Sequence, residues 1–133
     1  MNKYFNIPIW LNWLLLPIVT FIAFWLANFA AGIVLFIVRS VNDFSNDSWM
    51  FGFHYSILQP AFAHYLAVLV AANFAPSHKF NTAVVVGSIA VLMNGGFAFM
   101  NLVIDYDPVL LVASLSAAVG AVGAIIQCKS DVP

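Results

Sequence analysis

His64 stands inside a long apolar run, and the carboxamides of Asn28 and Asn94 stand inside two others. An imidazole titrates near neutral pH, can relay a proton, and donates or accepts at each ring nitrogen. Such side chains are costly in hydrocarbon, so His64, Asn28 and Asn94 form the candidate midplane polar site. Two chemistries fit them. Lining a path for an ion or proton, His64 would act as relay or gate. Bonded in its neutral form to an asparagine, it would instead lock two helices, an interaction of roughly 0.6–2 kcal/mol. With no carboxylate inside any apolar run, a proton pump lacks its partner groups, and the structural role is the simpler expectation. Pro60, one turn earlier, lacks the N–H that would reach the Ser56 carbonyl. A carbonyl freed in this way can bind an ion, a water or a hydroxyl.

Other chemistries find less support. His54 and His64 share one helix, ten residues and about 15 Å apart, so they cannot hold one haem iron between them. His78 falls in a turn beyond that helix, and His54 reads as an interfacial residue at the helix end. No His, Asp, Glu or Cys spacing matches a zinc or di-iron site, so neither metal nor cofactor is expected. Ser56 lies eight residues before His64, too far along a helix for a hydrogen-bonded nucleophile and base. Cys128, the single cysteine, excludes an internal disulfide and reads as an inert or lipidated thiol just past a helix. Asp105–Tyr106–Asp107–Pro108 is turn chemistry with an N-cap. No catalytic constellation is visible, and a non-enzymatic role is expected.

The elements that position these residues follow from composition. The chain has 133 residues, 64% hydrophobic and only 7% charged, with a mean hydropathy of +1.01. A water-soluble domain of this size leaves too much surface exposed to hide so many apolar side chains. A span needs about 20 apolar residues, and four such runs occupy almost the whole chain. The expected fold is an all-α membrane protein, one domain over 1–133, with four transmembrane helices at about 17–38, 53–75, 81–104 and 109–127. Ile9 to Val38 carries no charge and no small-residue cleavage motif, so it reads as a retained anchor rather than a signal peptide. Within it, Ile9 to Leu16 reads as a lead-in with Trp10 and Trp13 at headgroup level, and Pro17 as the first turn of the span. An unbroken tilted helix from Ile9 is the competing reading.

Helices in a bilayer associate where small residues let backbones approach. Stripes at 3–4 spacing predict the packing faces: Gly87 and Ala90 on the third helix, and Ala113, Ala117, Gly120 and Ala124 on the fourth. The second helix carries Ala67, Ala71 and Ala75 beside His64, and the first has Ala23, Ala27 and Ala31 beside Asn28. Asn94–Gly95–Gly96 is a weak point in the helix that reads as a place where another helix packs closely, with a hinge as the alternative. A compact antiparallel up-down bundle is predicted. Lys3, Lys79 and Lys129 fall on one side, and Arg39 with Asp43, Asp47, Asp105 and Asp107 on the other. The positive-inside bias then puts both termini in the cytoplasm, in the bacterial inner membrane. A net charge of −1 gives no basic surface for nucleic acid. The expected partners are membrane lipids and either further copies of the chain or a larger membrane protein. The function expected is a non-catalytic subunit or homo-oligomer; an oligomeric pore or small transporter lined by His64, Asn28 and Asn94 is the alternative.

Overall fold

The computed structural model describes residues 8–42 and 49–130, which are helix and tight turn. Asp43, Asp47 and Lys3, used in the charge count, lie outside the described residues. Four helices are long and apolar enough to cross a membrane: α1 (Ile9–Asn42), α2 (Trp49–Phe74), α3 (Lys79–Val103) and α4 (Pro108–Ser130). Each predicted span falls on one of them, and the architecture is that of an all-helical integral membrane protein.

The largest change of boundary is in α1. No separate lead-in exists, because the helix runs through Pro17 from Ile9. An irregular segment in hydrocarbon would leave several backbone groups unpaired at several kcal/mol each, whereas an internal proline forfeits one bond. The unbroken reading therefore holds. A different break appears in α2, where five residues, His54–Leu58, form a π-turn between α-helical halves. There the Gln59 N–H reaches back five residues to the His54 carbonyl. The turn ends two residues before Pro60, whose ring would otherwise press on the carbonyl four residues earlier. Widening one turn is a common way to absorb such a conflict.

Helix α2 sits at the centre, packed on α1 to one side and on α4 and α3 to the other, while α3 and α4 pack together. The interior is built almost wholly of alanine: Ala63, Ala67, Ala71, Ala72, Ala83, Ala121 and Ala124 are buried, whereas Phe21, Trp25, Leu92 and Phe97 point outward. Of the predicted packing residues, Gly87, Ala117, Gly120 and Ala124 are buried, and Ala90 and Ala113 are half-buried. The closest approach is at Gly120, where a Cβ would collide with the backbone of Ala61 on α2. At Gly87 it would clash with the Ile125 side chain, 2.5 Å away, while the nearest backbone atom, the Ala121 oxygen, is at an ordinary 3.6 Å. Gly95 and Gly96 correct the expectation of close packing within the bundle, since nothing among the described residues lies within 4 Å of a Cβ at either. Cys128 is likewise not past a helix but inside α4, buried in the cluster with Val68, Ala72 and Ala83.

The bundle is also less closed than the small-residue stripes suggest. Helix α1 rests on α2 and makes almost no close backbone contact with α3 or α4. Phe21 and Phe24 on α1 and Ile89, Met93 and Phe97 on α3 instead flank an open groove. Bulky side chains on both walls keep these two helices apart.

Because the neighbour at Gly120 is backbone, Gly120→Ala should cost about 1–3 kcal/mol in unfolding from detergent micelles. Gly87→Ala should cost less, as Ile125 can rotate. Gly95→Ala should be neutral or stabilising by up to about 1 kcal/mol, because nothing opposes the gain in helix propensity. Equal losses at all three positions would show that backbone approach does not set the packing.

Candidate functional site: a polar pair on the floor of a lateral groove

His64 projects from α2 toward both α1 and α3. Its Nδ1 lies 2.9 Å from the Pro60 carbonyl, one turn back on the same helix. A carbonyl only accepts, so Nδ1 carries the hydrogen. Its Nε2 lies 3.1 Å from Asn94 Nδ2 on α3, and Asn94 Nδ2 also donates to the Ala90 carbonyl at 2.8 Å. The second contact identifies the nitrogen, because the amide oxygen could not face a carbonyl so closely. Asn94 therefore donates to His64, and the pair is complete with a neutral imidazole in the Nδ1–H tautomer. The Phe24 ring of α1 closes on the imidazole edge-to-face, with centroids 4.9 Å apart.

Asn28 is not part of this pair. Its Nδ2 donates to the Phe24 carbonyl at 3.0 Å, and its Oδ1 accepts from Gln59 Nε2 at 3.4 Å. One turn further along, His54 Nε2 lies 3.1 Å from the Ala31 carbonyl, to which it must donate. His54 is thus a tie between α1 and α2 rather than only an interfacial residue. The π-turn explains both ties, since its i→i+5 pattern brings residues five apart onto one side. His54 and Gln59 are so related, and both meet α1. The midplane residues accordingly divide into two clusters: His64 with Asn94 between α2 and α3, and Asn28 with Gln59 between α1 and α2.

The pair lies in the groove between α1 and α3, a cavity of about 660 Å³ whose floor is His64, Ala67 and Val68 of α2. Its polar lining is His64, Asn94 and Thr20, and the Thr20 hydroxyl donates to the Leu16 carbonyl at 2.7 Å. Among the described residues no three His, Cys, Asp or Glu side chains converge as metal ligands. Ser114 and Ser116 of α4 bond to the carbonyls of Leu110 and Val112.

Two residues outside the sequence-derived set matter to the site's frame. Gln59 could have been found as the one amide beside a proline in an apolar run. Asn12 gave no such signal between Trp10 and Trp13, yet it is fully buried. Among the described residues both its Nδ2 and Oδ1 lack a partner. A sealed amide without hydrogen bonds costs about 1–3 kcal/mol. Comparison with protein-family models, curated proteins and solved structures finds no match for this chain.

Two measurements follow from this geometry. A double-mutant cycle with His64→Ala and Asn94→Ala should give a coupling of about 0.6–1.7 kcal/mol in unfolding, while His64→Ala with Asn28→Ala should give none. Equal couplings would mean one shared cluster. Separately, Asn12→Leu should stabilise the protein by about 1 kcal/mol or more, as it removes the unpaired amide. A lower unfolding temperature would place an unrecognised partner at Asn12.

Proposed function

We propose that this small integral membrane protein works without catalysis, as a subunit or homo-oligomer that packs against other membrane chains. The supporting observation is a face of α1 that begins at the edge of its contact with α2 and runs outward. Along it, Trp25, Phe29, Ile33 and Phe36 border a hollow of about 480 Å³ with Asn28 and Gly32 between them. Nothing among the described residues lies within 4 Å of a Cβ at Gly32, and the Trp25 and Phe29 rings stack with centroids 6.2 Å apart. A glycine notch beside rigid aromatic walls suits the side chains of another helix, because close approach is what drives association in lipid. Ala27 and Ala31 are buried against α2, so the small residues of α1 serve the fold and Gly32 is left for a partner.

An up-down path accompanies this reading. Ala31 meets His54, Asn28 meets Gln59, Phe24 meets His64, and Leu16 packs with Ala71 and Ala75, an order that runs oppositely along α1 and α2. Lys79 and Lys129 then share one side and Arg39, Asp105 and Asp107 the other. Positive-inside bias assigns the first side to the cytoplasm of a bacterial inner membrane.

Native mass spectrometry of gently extracted protein tests association. An integral number of identical chains, or a stoichiometric larger membrane protein, is expected; a lone monomer at physiological abundance would refute the proposal. Gly32→Leu should abolish that association while leaving the unfolding temperature unchanged. For orientation, cysteines at Ser77 and Asp105 in a Cys128→Ala background should react with an impermeant thiol reagent from opposite faces, Asp105 from outside.

A further inference from the structure

The groove between α1 and α3 has a property that its volume alone does not convey: it offers hydrogen-bond acceptance and no donor. Each N–H of the Asn94 amide is engaged, one by Ala90 and one by His64. Both nitrogens of His64 are engaged as well, by Pro60 and by Asn94. The Thr20 hydroxyl hydrogen is given to Leu16. The acceptors that remain are the Thr20 hydroxyl oxygen and the stronger one, the amide Oδ1 of Asn94, which has no partner among the described residues. It is not sealed either, since the sealed and unpartnered side-chain atoms there belong to Asn12. No charged side chain lines the groove.

An amide oxygen facing hydrocarbon is poorly solvated, because lipid tails carry no donor. The occupant that satisfies it must bring an O–H or N–H. With no counter-charge present, that occupant must be neutral. The remaining walls are aliphatic and aromatic, including Phe21, Phe24, Met93 and Phe97. A cavity of this size lies within the range of about 300–1,000 Å³ typical of small-molecule sites, which are likewise apolar with few polar groups. A transmembrane helix fits the chemistry less well, since its backbone N–H groups are spent internally.

We propose that the groove binds a neutral lipophilic alcohol or phenol from within the bilayer, whose hydroxyl donates to Asn94 Oδ1. His64 is the positioning residue. By accepting from Asn94 Nδ2 it helps to hold the amide with its nitrogen toward α2, which leaves only the oxygen for the ligand. This site is separate from the Gly32 face of α1 and does not depend on its partner.

The test compares 4-nonylphenol with its methyl ether, which has the same apolar body and no donor. Binding to the protein in lipid nanodiscs is read by titration of intrinsic tryptophan fluorescence and by unfolding temperature. Saturable binding of the phenol is expected, with the ether weaker by roughly three- to tenfold, the value of one net hydrogen bond. Asn94→Leu should erase the difference between the two. His64→Ala should narrow it from the other direction, because a released Asn94 N–H lets the ether oxygen bind. Should Asn94→Leu fail to fold, Ile89→Trp fills the groove without touching the pair and should abolish binding of both molecules. Equal affinity for phenol and ether in the parent protein would overturn the proposal, as would discrimination that survives Asn94→Leu or binding that survives Ile89→Trp. Disulfide cross-links between copies through a cysteine at Ile89 would overturn it too, by showing that a second chain fills the groove.

Discussion

The contact of Gly120 with the backbone of Ala61 is the constraint around which this structure is arranged. In water a helix gains by burying large side chains. In hydrocarbon that gain is nearly absent, and helices hold where many atoms approach closely. The consequence is an interior of alanine with the phenylalanines, leucines and tryptophans outside. Where small residues face each other, as along α2 and α4, backbones meet. Where bulky residues face each other, as between α1 and α3, the helices stand off and a groove remains.

The same medium governs the polar side chains. Thr20, Asn28, His64, Asn94, Ser114 and Ser116 each bond to the carbonyl four residues earlier on their own helix. This local satisfaction makes them tolerable inside a span. It also fixes which atom of each amide is left over. For Asn28 the leftover oxygen meets Gln59, and the result is a tie between helices. For Asn94 the nitrogen serves two acceptors, and the oxygen is left without a partner among the described residues. Two asparagines with the same backbone habit thus have different roles because of what stands opposite.

Much of the architecture was legible in the sequence because spans and small-residue faces have short periods. The helices, the alanine faces, and the Asp107 N-cap, whose carboxylate accepts from the Val109 N–H at 2.8 Å, follow from local patterns. The site was legible only by depth. Counting from span ends puts Asn28, His64 and Asn94 at similar levels, but level does not specify direction around a helix axis. Direction was altered by the π-turn, which shifts His54 and Gln59 onto the α1 side. Pro60 hinted at a disturbed turn without giving its form. The burial of Asn12 depends on tertiary packing and has no local signature. For Pro17, helix-breaking propensity pointed one way and the medium decided the other.

Helix α1 has 34 residues, against 26, 25 and 23 for α2, α3 and α4. At 1.5 Å per residue it is about 51 Å long, while the hydrocarbon slab is about 30 Å thick. Even a 40° tilt, the upper end of what spanning helices adopt, would accommodate only about 39 Å of it. At least about two turns of α1 must therefore stand outside the hydrocarbon. Asn28 and His54 pin its middle to α2, so the helix cannot slide to conceal that excess. Hydrophobic mismatch is built into the molecule: a thicker bilayer would cover more of α1 at little strain to the shorter helices' contacts, and a thinner one would expose more. The fit of this chain to its membrane is set by one helix, and the other three only need to cross.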